Sequence, residues 1–176
     1  FSQFKGAAFV AAGCSFPTAE HYMHHRKAVL FGDREAAQAI LRADTPEQAK
    51  QIGRAVQGFE KVRWESMRLA VVRRGTELKF ATHPLMAHLL RATGNSTLVE
   101  VAPNDAIWGN GASWAESMSA AEAGRPTGPG RNLLGGVLMA VRDASRAPMW
   151  ALKVAAAQRH GGGGGGAGEG REREQP

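Results

Sequence analysis

Glu20 and Lys27 stand seven residues apart, just after the Pro17-Thr18 pair that reads as a helix start. Seven residues is close to two helical turns, so the two side chains share a face about 10 Å apart along the axis. An acid and a potential amine nucleophile on one wall suit acid or nucleophilic chemistry. The same spacing also describes two unrelated charges on a solvated face. Glu20 lies in the first helical turn, where free backbone N–H groups attract a carboxylate. Lys27 lies deeper, and burial there would lower its charge and leave a nucleophilic amine.

A second group follows the β-branched run Thr97-Leu98-Val99-Glu100-Val101-Ala102. Asp105 offers another carboxylate, and Trp108 offers a flat face with one N–H donor. Gly109 and Gly111 would allow a ligand close to the backbone, although an Asn-Asp turn plugged by tryptophan reads equally well. Trp64 could stack on a planar base or simply pack. The turn Gly130-Arg131-Asn132-Leu133-Leu134-Gly135 could direct backbone N–H groups and Arg131 at a phosphate. His21, His24 and His25 invite a metal reading, but no Cys/His cluster elsewhere completes a ligand set. Cys14 is a weaker candidate still.

The elements that must position these groups are mostly helical. Thr18 caps a helix over 19–31, Asp33 one over 34–43, and Thr45-Pro46 opens 46–56. A longer helix is expected over 60–81, with Met67, Ala70, Val71 and Leu78 inward. His83-Pro84 breaks it before a short helix that buries Leu85, Met86, Leu89 and Leu90. The last helix, 133–145, carries Leu134, Val137, Leu138 and Val141 at i, i+3, i+4, i+7. Residues 6–16 read as a weak strand or hairpin and 97–102 as a clearer strand. The stretch from Gly109 to Asn132 is long for a loop, with a short helix near Trp114–Ala123, and suits a role over the site. The expected class is an α-rich α+β single domain with a small β element.

A chain of 176 residues suits one domain with a real core. Residues 1–154 would be that domain, and the glycine-rich 155–176 a disordered tail. The net charge of +6 belongs entirely to residues 1–158, because the tail's arginines and glutamates cancel. A basic body favours phosphate-bearing partners, from nucleic acid to a sugar phosphate. No apolar run approaches a membrane span of roughly 18 residues, so no membrane partner is expected. The single cysteine excludes an internal disulfide. No signal or transit segment is visible, and a start at Phe1 leaves room for a removed upstream segment. An intracellular setting, cytoplasmic or organellar, is the expectation.

Taken together, these segments resemble the YbiA-like or NADAR domains from Phe1 to about Asp143. The matching pieces are Phe1-Ser2-Gln3-Phe4, Thr18-Ala19-Glu20-His21-Tyr22 with Lys27, Lys79-Phe80, and Leu89 to Gly94. They continue with Leu98-Val99-Glu100, Asn104 to Gly111, and Gly130-Arg131-Asn132-Leu133-Leu134-Gly135 through Arg142. The resemblance implies a mostly helical hydrolase of N-glycosidic bonds, acting on phosphoribosylated pyrimidine intermediates of riboflavin synthesis or on ADP-ribosylated guanine in nucleic acid. It implies a site of Glu20, Lys27, Trp64, Asp105 and Trp108, lined by Asn132 and Gln3. Gln3 replaces an asparagine common there, and the Gly111–Gly130 connection is long. Both departures bear on which substrate is taken.

Breaking a C1′–N bond passes through an oxocarbenium-like state and needs protonation of the leaving base. Glu20 and Asp105 would divide those duties, while Trp64 and Trp108 hold the planar base or sugar face. Lys27 would either bind phosphate or attack C1′ to give an imine. No metal or organic cofactor is required. Two rival readings are a non-catalytic ADP-ribose or nucleotide reader and a basic nucleic-acid-binding module. Retention of Glu20, Lys27 and Asp105 together weighs against the first, and scattered rather than clustered basic residues against the second.

Overall fold

The computed structural model describes residues 1–146. Within them a hairpin of β1 (Phe9–Ala11) and β2 (Cys14–Phe16) precedes seven helices. These are α1 (Ala19–Leu30), α2 (Arg34–Leu41), α3 (Pro46–Arg54), α4 (Lys61–Thr82), α5 (Pro84–Ala92), α6 (Trp114–Glu122) and α7 (Leu133–Ala144). Phe1–Ser145 form one compact unit. The expected domain end at 154 and the tail at 155–176 lie outside the described residues.

Local chemistry accounts for most boundaries. Thr18 caps α1 by accepting from the His21 amide, and Asp33 caps α2 through Ala36 N. Thr45 and Gln48 form a reciprocal capping box ahead of Pro46 on α3. Ser113 and Glu116 do the same for α6. β1 and β2 pair antiparallel with Phe9 opposite Phe16, across a turn in which Ala12 and Gly13 both take positive φ.

Helix α1 is the centre of the molecule, since its residues enter all three apolar clusters. Ala19 and Tyr22 pack with Phe9 and Phe16 of the hairpin. Ala28 joins Ala37, Ile40, Ala49 and Val56 from α2, α3 and the turn after α3. Met23 joins a cluster with Val72 and Phe80 of α4, Leu90 of α5, and Leu134, Val137, Leu138 and Val141 of α7. The α7 stripe is the one its spacing predicts.

Three expectations fail. Residues 97–102 form no strand, because no strand among the described residues lies beside them to complete a ladder. Side-chain amides take that place: Asn132 Oδ1 accepts from Glu100 N, and Asn132 Nδ2 donates to Leu98 O. Asn110 Oδ1 accepts from Ala102 N at 3.4 Å, and Asn110 N donates to Glu100 O. On α4, Met67 and Ala70 are exposed and Val71 and Leu78 only half-buried; the buried face is Arg68, Val72, Gly75, Thr76, Lys79 and Phe80. That face is largely polar because it backs the N-terminal segment: Lys79 Nζ donates to Ser2 O, and Gln3 Nε2 to Thr76 Oγ1. On α5, Leu85 and Leu89 face outward, and only Leu90 is fully buried. This short helix packs along one edge, against α4 and α7.

Gly75 lets Tyr22 lie against α4, since a Cβ there would sit 2.6 Å from Tyr22 Cδ1. Gly75→Ala should therefore lower unfolding stability by about 1–3 kcal/mol in urea titration. Gly136→Ala, whose new methyl meets nothing within 4 Å on exposed α7 surface, should raise it by about 0.5–1 kcal/mol.

Candidate active site

One cavity of about 640 Å³ gathers most of the residues singled out by sequence. Glu20, Lys27, Asp105, Gln3, Trp64 and Trp108 all line it. They come from α1, the loop after residue 102, the N-terminal segment and the first turn of α4.

The α1 wall is built on a buried polar stripe. Glu20 is 4% exposed, and its Oε1 lies 3.0 Å from His24 Nε2. An imidazole donating from Nε2 orients that carboxylate and leaves His24 Nδ1, which has no hydrogen-bond partner. One turn on, Lys27 is 8% exposed and donates from Nζ to Gly53 O at 2.7 Å. The same ammonium lies 4.2 Å from the centre of the Phe59 ring and 6.0 Å from that of Trp64. Burial holds the Lys27 amine below its ordinary value of 10.5. Gly53 makes this arrangement possible: a Cβ there would run into the His24 ring, 2.8 Å from its Cβ.

The opposite wall is the segment from Glu100 to Trp108. Asp105 Oδ1 accepts from Ile107 N at 2.9 Å and Trp108 N at 2.8 Å, which fixes both the carboxylate and the tryptophan backbone. Glu100 also lines the cavity, and burial raises its carboxyl above the ordinary 4.5, with neighbouring Asp105 pushing the same way. The segment alternates like a strand without being one. Glu100 and Ala102 face this cavity, while Thr97, Val99 and Val101 face a separate hollow beside α6.

Three predicted site residues fall elsewhere. Arg131 is exposed and outside the cavity lining; its backbone amide bonds Ala106 O. Asn132 lies beyond the wall, in a left-handed backbone conformation, holding Leu98 and Glu100 from behind. Gly109 is buried, and a Cβ on it would lie 2.6 Å from Ala102 Cβ and 2.8 Å from Asp105 O, so its bareness serves packing. The stretch between Gly109 and Asn132 lines no part of the cavity. Gly130 N bonds Asn110 O, Asn132 N bonds Gly109 O, and these tie it to the far side of the wall.

The three histidines diverge rather than converge. His21 bonds Thr18 and Ala43 O, His24 meets Glu20, and His25 stacks edge-on with Phe16. No three His, Cys, Asp or Glu side chains among the described residues are grouped to hold an ion. Four ionisable lining residues are not among the expected site members: His24, Lys50, Arg54 and Glu100. Glu100 carried a signal, being the one charge inside an apolar run. Nothing local in the sequence marks Lys50 and Arg54 as lining a cavity.

Asn132→Ala should remove two of the bonds that hold the acidic wall. The expected loss is about 1–3 kcal/mol of stability. Backbone amides of 100–108 should exchange with deuterium faster; unchanged exchange there would show that the wall stands without this side chain.

Comparison with known proteins agrees with this architecture. The model of the NADAR domain matches residues 1–146. An N-glycosidase of Acanthamoeba polyphaga mimivirus is 36% identical over 131 residues, 74% of this chain and 75% of that protein. The N-glycosidase YbiA of Escherichia coli is 33% identical over 143 residues, 81% of this chain and 79% of its own. The chloroplastic riboflavin biosynthesis protein PYRR of Zea mays is 38% identical over 136 residues, 73% of this chain but 20% of that longer protein. The NMR structure of Escherichia coli YbiA superposes with a TM-score of 0.65 at 29% identity, covering 93% of this chain and 83% of that one. This chain belongs to the NADAR domain family, that of the YbiA-like N-glycosidases.

Proposed function

We propose that this chain hydrolyses the N-glycosidic bond of a phosphoribosylated aminopyrimidine of the kind handled in riboflavin biosynthesis. The observation that carries this reading is a single cavity lined by Glu20, Lys27 and Asp105 together with Trp64 and Trp108. Similarity to the maize riboflavin protein supports the choice of base.

In this scheme the C1′–N bond breaks and its electron pair stays on the base nitrogen, which takes a proton. Water supplies the new C1′–O bond and gives up a proton in turn. Glu20, oriented by His24, is the acid–base group. Asp105, fixed by two backbone amides, faces the positive charge that develops on the sugar. Trp64 and Trp108 hold flat faces of base and sugar. Lys27 is poised for either of two parts, since burial favours its neutral form. In the first, its amine displaces the protonated base at C1′, and a proton leaves the nitrogen as the C1′–O4′ bond opens and O4′ is protonated. Water then hydrolyses the resulting imine to free Lys27. In the second, it holds an oxygen of the substrate.

The decisive experiment offers a phosphoribosylated aminopyrimidine and an ADP-ribosylated guanine oligonucleotide to wild type and to Glu20→Gln. Release of ribose 5-phosphate from the first is expected, falling about 100-fold or more in the variant. Release of ADP-ribose alone would move the activity to modified guanine. Release from neither, with tight ADP-ribose binding, would make the domain a reader.

Lys27 has its own test. If its amine attacks, kcat/KM should rise with pH as the ammonium loses its proton, and level off below the ordinary lysine value of 10.5. Borohydride added during turnover should then leave a mass adduct on Lys27. Turnover without any adduct would assign it to binding.

A further inference from the structure

We propose that Lys50 and Arg54 of α3 form a phosphate subsite, so that the enzyme selects ribosides bearing a 5′-phosphoryl group. This rests on the N-ribosidase reading above and names the residues that take the phosphate of its phosphoribosyl group. The two residues stand four apart on one helix and both line the cavity. Neither has a carboxylate within salt-bridge distance among the described residues. Lys50 Nζ lies 5.4 Å from the centre of the Phe4 ring, another lining residue, which holds the ammonium at the cavity. Between them in sequence, Gly53 gives its carbonyl to Lys27 at 2.7 Å, so the cationic side of the cavity is anchored on one helix.

The charge across the cavity sets the direction of binding. Lys50 and Arg54 lie on the α3 side, while the carboxylates of the lining lie on α1 (Glu20) and on the loop (Glu100 and Asp105). A phosphate is drawn to the first and repelled by the second. The sugar therefore enters with its phosphate toward α3 and its base toward Trp108. Arg131, the obvious anion binder in the sequence, is exposed outside the cavity and plays no part. A purely structural role for Arg54, complementing the C-terminal end of α3, would affect stability without discriminating between ligands.

The test measures binding rather than turnover, so it stands apart from the identity of the base. Ribose, ribose 5-phosphate and ADP-ribose are titrated calorimetrically into Glu20→Gln, alone and combined with Lys50→Ala, Arg54→Ala or Arg54→Lys. Ribose 5-phosphate should bind at least tenfold tighter than ribose, with the gap narrowing as salt is raised. Each alanine should cut ribose 5-phosphate affinity about tenfold or more while ribose changes less than twofold. Arg54→Lys should restore part of the loss. A parallel loss for ADP-ribose would extend the subsite to a diphosphate; no loss would confine it to monoesters. Equal affinity for ribose and ribose 5-phosphate, or alanine variants that bind both as wild type does, would overturn the proposal. If the subsite binds as expected and no phosphoribosyl compound is hydrolysed, the reaction assignment fails and the subsite stands.

Discussion

Burying Glu20, His24 and Lys27 together on one helix is the constraint that the molecule is built around. Helix α1 is enclosed by the hairpin, by α2 and α3, and by α4, so Glu20, His24 and Lys27 have little access to water. An isolated buried charge costs several kcal/mol, and only partners or solvent in a cavity can offset it. Glu20 takes His24, and Lys27 takes a backbone carbonyl and two aromatic faces. Neighbouring elements must therefore approach closely at defined points. Gly53 is where that requirement is sharpest, because its carbonyl serves Lys27 while its missing side chain makes room for His24.

The same constraint explains which features could be read from sequence. Caps at Thr18, Asp33 and Thr45 act within a few residues, and each marks a helix start in the structure. The apolar period of α7 is legible because that helix packs against a hydrocarbon core. The inward face of α4 is not, because it carries Arg68, Thr76 and Lys79, the last two of which bond the chain's first residues. Periodicity rules assume that inside means apolar. Beside a polar cavity that assumption fails, and Met67 and Ala70 are left outside.

The cavity itself was legible in part, for a similar reason. Glu20, Lys27, Asp105 and the two tryptophans announce themselves by residue type and by position near helix starts or a strand-like exit. Lys50 and Arg54 do not, because nothing local distinguishes a cation aimed at a cavity from one in water. Asn132 misled in the opposite direction. A polar residue at a helix start reads as a ligand or cap, yet both ends of its carboxamide are spent on the backbone of Leu98 and Glu100. Alternation in 97–102 correctly separated two faces while wrongly implying a sheet, since an extended chain alternates whoever satisfies its hydrogen bonds.

Asn110 joins two regions that otherwise look independent. Its main chain and Oδ1 hold Glu100 and Ala102, while its Nδ2 reaches Ser117 Oγ and Thr127 O in the α6 excursion, each at 2.7 Å. The excursion lines no part of the cavity, yet it shares a strut with the cavity's loop wall. Lengthening or trimming that peripheral loop over evolutionary time would thus retune the spacing of the carboxylates indirectly. The shape of the cavity can change there without any change in the residues that line it.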